Sequence, residues 1–352
     1  MRKYYIDNLR ILCILMLFPY HTCMIYNSFE SFYVYNKPVN ILSDFVLINW
    51  TWFMPLMFVL AGISSAYALK KRTGTEYVKE RIMKLFVPLL FGILLIVPIQ
   101  TYYAEVFHNN YRGGYLEQYI LFFTKETDLT GYAGGFTPGH LWFILYLLII
   151  SMLALPIMLW YNKSKKKINA EKLSMIKLIL MFFAPLLVAP ILDFGGKSVG
   201  EYFALFMLGF FVLSEDKVLD KLEKYRWVLT ASAVLLLISK YLWYYYVGQL
   251  GLLFDIHQRI AMWICILAIL GIGKRLLDFS NKLTQYFVKA SFPIYIFHQS
   301  ILIAVGYYVL KLTDIIALQV ALIILISFIA TMVFYEICKR ISLTRLMFGI
   351  KK

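Results

Sequence analysis

Residues 9–28 read LRILCILMLFPYHTCMIYNS, an apolar run long enough to cross a bilayer that nonetheless carries Arg10 and His21. Eleven residues at 100° each make 1100°, so both side chains project from one helix face, roughly 16 Å apart along the axis. Ionisable groups are costly in hydrocarbon, so they usually face a protein interior or a water-filled cavity and mark a working site. Pro19 lies two residues before His21. It removes an intrahelical hydrogen bond and predicts a kink beside the imidazole.

Apolar runs of the same kind recur along the chain. The 352 residues are 61% hydrophobic and 16% charged, with a mean hydropathy of +0.71; soluble proteins average about 45–50% apolar. The runs are continuous rather than alternating, which excludes a transmembrane barrel. Ten spans are expected, at residues 9–28, 46–69, 85–103, 139–161, 175–192, 198–213, 226–247, 257–273, 288–310 and 314–338. The sequence therefore predicts an all-α, polytopic membrane helix bundle. No internal repeat or long hydrophilic linker divides it, so a single domain over residues 1–352 with no appended soluble domain is expected.

The net charge of +15 follows this topology. Allotting Lys and Arg to alternate sides places 28 with the N-terminus, among them Arg2, Lys163, Lys165, Lys166, Lys167, Lys351 and Lys352, and seven opposite. The positive-inside rule then puts both termini in the cytoplasm and the protein in the cell membrane. The basic excess is not a nucleic-acid footprint. Cys13, Cys23, Cys265 and Cys338 all fall in apolar spans with no metal spacing, and read as buried small hydrophobes. No small-residue cleavage site follows Tyr26, so the first run is read as a retained helix and not a signal peptide.

Several polar residues stand where apolar ones are expected. Asp7 is three residues before Arg10, close enough to pair across one turn; Arg10 also fits a positive-inside anchor. His21 lies near the middle of a ~30 Å hydrocarbon core, as a working group or a satisfied core histidine. His298 reaches a similar depth in a second span, with Tyr295 three residues earlier on its face. His140 and Trp142 stand at the outer start of the fourth span, where they could bind substrate; a helix cap and an interfacial belt residue are the alternatives. Arg81 and Lys84, one turn apart at the cytoplasmic foot of the third span, could clamp phosphate or anchor the inner leaflet. Asp255, His257 and Arg259 form a polar group without an assigned role. The outer loop from about Ala104 to Pro138 is long and glycine-rich, and such loops are often functional. The tyrosine-rich surface around Tyr241, Trp243, Tyr244, Tyr245 and Tyr246 fits an interfacial belt or a sugar-stacking face. No histidine or carboxylate pair near His21, His140 or His298 has ligand spacing, so no metal is expected.

These residues resemble the acyltransferase family 3 membrane proteins. The resemblance is carried by Ile6-Asp7-Asn8-Leu9-Arg10, ten spacers and His21. Phe58-Val-Leu-Ala-Gly62, Arg81-x-x-Lys84-x-x-x-Pro88, Gly139-His140-Leu-Trp142-Phe143 and Tyr295-x-x-His298 follow in the family's order. The Gly-His-Leu-Trp-Phe element is similar to the branch that contains periplasmic-glucan modification proteins. Ala61 stands where the family commonly has Ser, and Lys84 where it has a second Arg, which weakens bidentate phosphate recognition.

The resemblance implies transfer of an acyl group, acetyl or succinyl, from cytoplasmic acyl-CoA to a hydroxyl of an extracytoplasmic carbohydrate. Arg81, Lys84 and Arg10 would hold the CoA phosphates. His21, oriented with Arg10 and Asp7, would take the acceptor's proton. His298 and Tyr295 would orient the thioester or donate to its oxygen, and His140 and Trp142 would meet the acceptor. A proton-coupled secondary transporter is the alternative from another class, since intramembrane His and Arg also build proton paths; the inverted repeats common in transporters are not visible.

Overall fold

The apolar runs fold as helices in the computed structural model, which describes residues 3–165, 167–248 and 251–351 and is 76% helical. Arg2, Lys166 and Lys352, counted above toward the charge asymmetry, lie outside the described residues. Among the described residues, seven helices are long and apolar enough to cross a membrane. They are Asn40–Leu69, Gly74–His108, Gly139–Lys163, Arg226–Tyr246, Leu252–Leu276, Lys282–Leu312 and Ile316–Arg340. The first expected span is helix α1 (Tyr4–Met24), which runs through Pro19 but is too diluted by polar residues to join the seven. The expected fifth and sixth spans are the shorter apolar segments Met175–Val188 and Val199–Phe211. The chain is an all-α membrane protein.

Local chemistry explains the breaks in these segments. The second is α2 (Asn40–Trp50) followed by α3 (Phe53–Leu69). The third is α4 (Gly74–Arg81), a π-helical turn at Ile82–Phe86, α5 (Val87–Leu95) and α6 (Val97–His108). Pro88 and Pro98 lack the N–H that would continue each ladder, so the chain widens by a π turn before one and breaks at Ile96 before the other. Beyond them lie α7 (Tyr115–Thr124), α8 (Trp142–Lys163), α9 (Met175–Leu180), α10 (Phe183–Val188), α11 (Val199–Phe211) and α12 (Asp216–Lys224). The last five helices are α13 (Arg226–Tyr246), α14 (Leu252–Leu276), α15 (Lys282–Leu312), α16 (Ile316–Arg340) and α17 (Ser342–Met347). One two-residue hairpin, β1 (Asp193–Phe194) with β2 (Lys197–Ser198), precedes α11.

The chain clusters into two compact units. The first holds Met1–Arg10, Leu47–Arg81 and Tyr146–Asn281. Here α3 lies against α11 at very close range: a Cβ at Gly62 would meet the Phe206 carbonyl, and one at Gly209 the Val59 carbonyl. Only glycine allows such an approach, and van der Waals packing is the main attraction between helices in lipid. Trp263, fully buried on α14, donates its indole N–H to the Leu178 carbonyl at 2.8 Å and ties α9 to the same core.

The second unit holds Ile11–Val46, Ile82–Leu145 and Lys282–Lys352. Its centre is α15, packed on α5, α6 and α16. Residues 27–39 cross over without regular structure and are pinned at several points. Asn27 Oδ1 accepts the N–H groups of Phe29 and Glu30 at 3.0 and 2.8 Å, and Asn36 donates to Gln319 Oε1 at 3.0 Å.

Candidate active site

Three imidazoles converge inside the second unit. His21 is in the last turn of α1, His140 in a short 3-10 turn at Gly139–Leu141, and His298 in the middle of α15. The ring of His298 lies 5.3 Å from that of His21 and 5.1 Å from that of His140, centroid to centroid. His298 and His140 are buried at 0% and 5% exposure, whereas His21 is partly exposed. Each ring keeps one buried nitrogen without a hydrogen-bond partner: His21 Nδ1, His140 Nδ1 and His298 Nε2. Buried polar atoms are rarely left so, and three in one cluster mark this place as the candidate site.

The hydrogen-bond partners decide which nitrogens are bare. His140 Nε2 lies 2.8 Å from the Ile296 carbonyl, and His298 Nδ1 2.7 Å from the Tyr295 carbonyl. A carbonyl only accepts, so both of these ring nitrogens carry the proton. His140 Nδ1 and His298 Nε2 are therefore lone pairs in the neutral rings. They can take a proton; they cannot donate to an oxyanion. Tyr295 is equally committed, since its hydroxyl donates to the His140 carbonyl and its ring packs edge-on to His140 at 5.8 Å. Tyr295 thus braces the turn that carries His140, and its hydroxyl proton is not free for a substrate oxygen.

That turn is shaped by Gly139, whose φ of +53° is left-handed and whose missing Cβ leaves room for the Gln100 amide. Trp142, at the start of α8, is only partly buried. The Phe32 ring lies parallel to that of His21, at 5.9 Å and 7°. Phe32 is held in turn by His108, whose Nε2 lies 2.7 Å from the Phe32 carbonyl. Next to it Tyr33 accepts from Gln100 at 3.0 Å and donates to the Thr130 carbonyl at 3.1 Å. Burial pushes the Tyr33 hydroxyl well above its ordinary pKa, so it remains a donor. The loop between α7 and α8 meets this segment through Tyr132, 5.0 Å from Tyr33, while Lys125 pairs with buried Glu105 of α6 at 2.8 Å.

The basic residues form a separate arrangement in the first unit. Arg10 bonds Ser64 Oγ at 2.8 Å and Asp7 at 3.4 Å. Arg81 bonds the next residue along, Ser65 Oγ, at 2.8 Å, lies 4.6 Å from the Tyr77 ring centre, and leaves Nε buried without a partner. Two guanidinium groups on successive hydroxyls of α3 hold fixed, donor-rich positions suited to oxyanions. Lys84 belongs to the second unit, where it sits exposed in the π-helical turn, out of the α-helical register expected with Arg81.

Sequence reasoning alone did not single out Phe32, His108, Tyr33, Ser64 or Ser65. Ser64 and Ser65 did carry a signal, being a hydroxyl pair in an otherwise apolar span just after Gly62. Phe32 and His108 carried none, because their roles arise from contacts between segments far apart in the chain.

The family model described as an acyltransferase domain, of the acyltransferase 3 type, matches residues 3–336. The chain is 25% identical to a Salmonella schwarzengrund protein called glucans biosynthesis protein C, over 99% of this chain and 95% of that one. Proteins of the same name from Salmonella paratyphi B and Salmonella typhi are 24% and 25% identical over the same shares. No solved structure matches the chain.

Proposed function

The chain belongs to the acyltransferase 3 family, and from that premise we propose that it moves an acetyl or succinyl group from cytoplasmic acyl-CoA to a hydroxyl of an extracytoplasmic glucan. The observation that carries this reading is the cluster of three imidazoles with unpartnered nitrogens, in which the rings of His21 and His140 lie 5.3 and 5.1 Å from that of His298. The glucan as acceptor rests on the name of the relatives.

Acyl transfer to an alcohol needs one base and, in the same step, a route for the leaving thiolate's proton. His21 is assigned as that base. Its Nδ1 is the buried nitrogen, and the neighbouring free nitrogens of His298 and His140 are lone pairs. The proton of the neutral His21 ring is assigned to the buried Nδ1, which leaves Nε2 as the basic atom on the accessible side. Nε2 removes the acceptor's O–H proton as the alkoxide oxygen bonds to the thioester carbonyl carbon. The C–S bond then breaks and the proton on Nε2 passes to the CoA thiolate. His298 is assigned to stabilise the imidazolium, and His140 with Trp142 to meet the sugar.

In the first unit, Arg10 and Arg81 are assigned to the phosphates of CoA, with Asp7 orienting Arg10. Lys84 is assigned the same kind of ligand. The lipid environment is the cytoplasmic membrane.

The test is purified protein with radiolabelled acetyl-CoA or succinyl-CoA and a glucan acceptor. Label in the glucan with wild type, lost with His21→Ala, is expected. CoA hydrolysis without glucan labelling refutes the acceptor, and full activity of His21→Ala refutes the base.

A further inference from the structure

Among the described residues of the first unit, the buried cation Lys240 has no counter-charge. Lys240 lies six residues before the end of α13 and is only 5% exposed. Its ammonium donates to Thr51 Oγ1 at 2.6 Å. Thr51 gives its own hydroxyl proton to the Leu47 carbonyl at 3.3 Å, so towards Lys240 it acts as an acceptor. Among the described residues Thr51 is the only hydrogen-bond partner of Lys240, and no carboxylate lies within ion-pair distance of it. Elsewhere in this unit Glu201 and Asp255 both turn to Arg259, at 3.1 and 3.2 Å.

An ammonium carries three donors, so among the described residues two of those of Lys240 have no acceptor. Charged side chains in membrane segments normally pair with one another or line a functional path. The adjoining helix α14 adds a second incomplete group. Ser239 gives its proton to the Leu236 carbonyl at 3.0 Å, so it accepts from His257 Nε2 at 2.9 Å, and His257 Nδ1 is left buried without a partner.

We propose that Lys240 is the anchor of a binding site for a carboxylate ligand, held by the ammonium on α13 beside Thr51. One unmatched positive charge is neutralised by one carboxylate. A phosphate group, carrying about −1.5 to −2 at neutral pH, overshoots that balance in a low-dielectric setting. The carboxylate belongs either to a free acid or to the acyl group of an acidic thioester. This inference goes beyond the acyl-transfer reading and does not depend on His21.

The experiment follows thermal unfolding of the full chain in lipid nanodiscs at constant ionic strength, with acetate, succinate, phosphate, acetyl-CoA and succinyl-CoA as probes. Free carboxylates that saturate the site are expected to raise Tm by roughly 2–4 °C or more, and phosphate by less. Lys240→Met abolishes the carboxylate shift and Lys240→Arg retains it; Lys240→Gln replaces the methionine variant if that fails to fold. Protection by succinyl-CoA beyond that of acetyl-CoA, with the free acids inert, assigns the carboxylate to the acyl donor. His21→Ala keeps the shift, which separates this site from the transfer chemistry. An equal shift in wild type and Lys240→Met overturns the proposal. So does a wild type that responds to neither the free acids nor the succinyl group.

Discussion

At the residue scale, the tautomers of the three histidines divide their labour. His298 and His140 each spend one N–H on a backbone carbonyl of α15, which locks the rings and fixes which nitrogen is bare. Of these three, only His21 pairs a buried nitrogen with partial exposure of the residue. His21→Ala is expected to lower kcat/KM by about 100- to 10,000-fold, measured as label transfer, while the helix content seen by circular dichroism stays unchanged. Tyr295→Phe deletes the hydroxyl that braces the His140 carbonyl, so the ring of His140 loses its fixed aim. A fall of about 10- to 100-fold in kcat, with smaller change in KM, is expected in steady-state assays. An unchanged kcat would mean that the brace is irrelevant to turnover.

At the scale of elements, the 3-10 turn before α8 and the loop that precedes it set the surroundings of the imidazoles. Gly139→Ala forces a side chain into left-handed backbone and against Gln100. A cost of about 1–2 kcal/mol in unfolding free energy, with loss of activity, is expected from denaturation and turnover measured together. In the loop, the Asp128 carboxylate accepts the Thr130 N–H at 2.9 Å and its hydroxyl at 2.7 Å, which holds it below the ordinary aspartate range. A carboxyl lowered in the folded state stabilises above its unfolded value, near 3.9, and that contribution disappears as pH falls through the lower folded value. Amide exchange at Thr130, corrected for its intrinsic pH dependence, should therefore be slow at neutral pH. It should accelerate on strong acidification, or at neutral pH in Asp128→Asn.

At the scale of the molecule, each unit has its own packing logic. In the first, the Gly62 and Gly209 contacts bring α3 and α11 together, and Gly62→Val is expected to cost about 1–3 kcal/mol or prevent folding, read by unfolding in detergent. The basic loops predict membrane sidedness. Single cysteines at exposed Lys167 and Glu126 should label from opposite faces of intact cells, and labelling from one face would refute the ten-span topology.

The sequence by itself determined the helical membrane class, because a bilayer admits continuous apolar runs only as helices with their backbone satisfied internally. It also marked His21, His140, His298, Tyr295, Arg10 and Arg81, since polar side chains stand out against a lipid-facing composition. Breaks at Ile96 and in the π turn followed from Pro98 and Pro88, but their form did not, since a missing N–H can be absorbed in several ways. Tertiary structure alone decided that Arg10 and Arg81 take successive serines, that Tyr295 serves the His140 backbone, and that Phe32, fixed by His108, faces His21. Such pairings depend on which side chains meet across segments up to 155 residues apart, and hydrophobic periodicity along one helix carries no record of the partner it will meet.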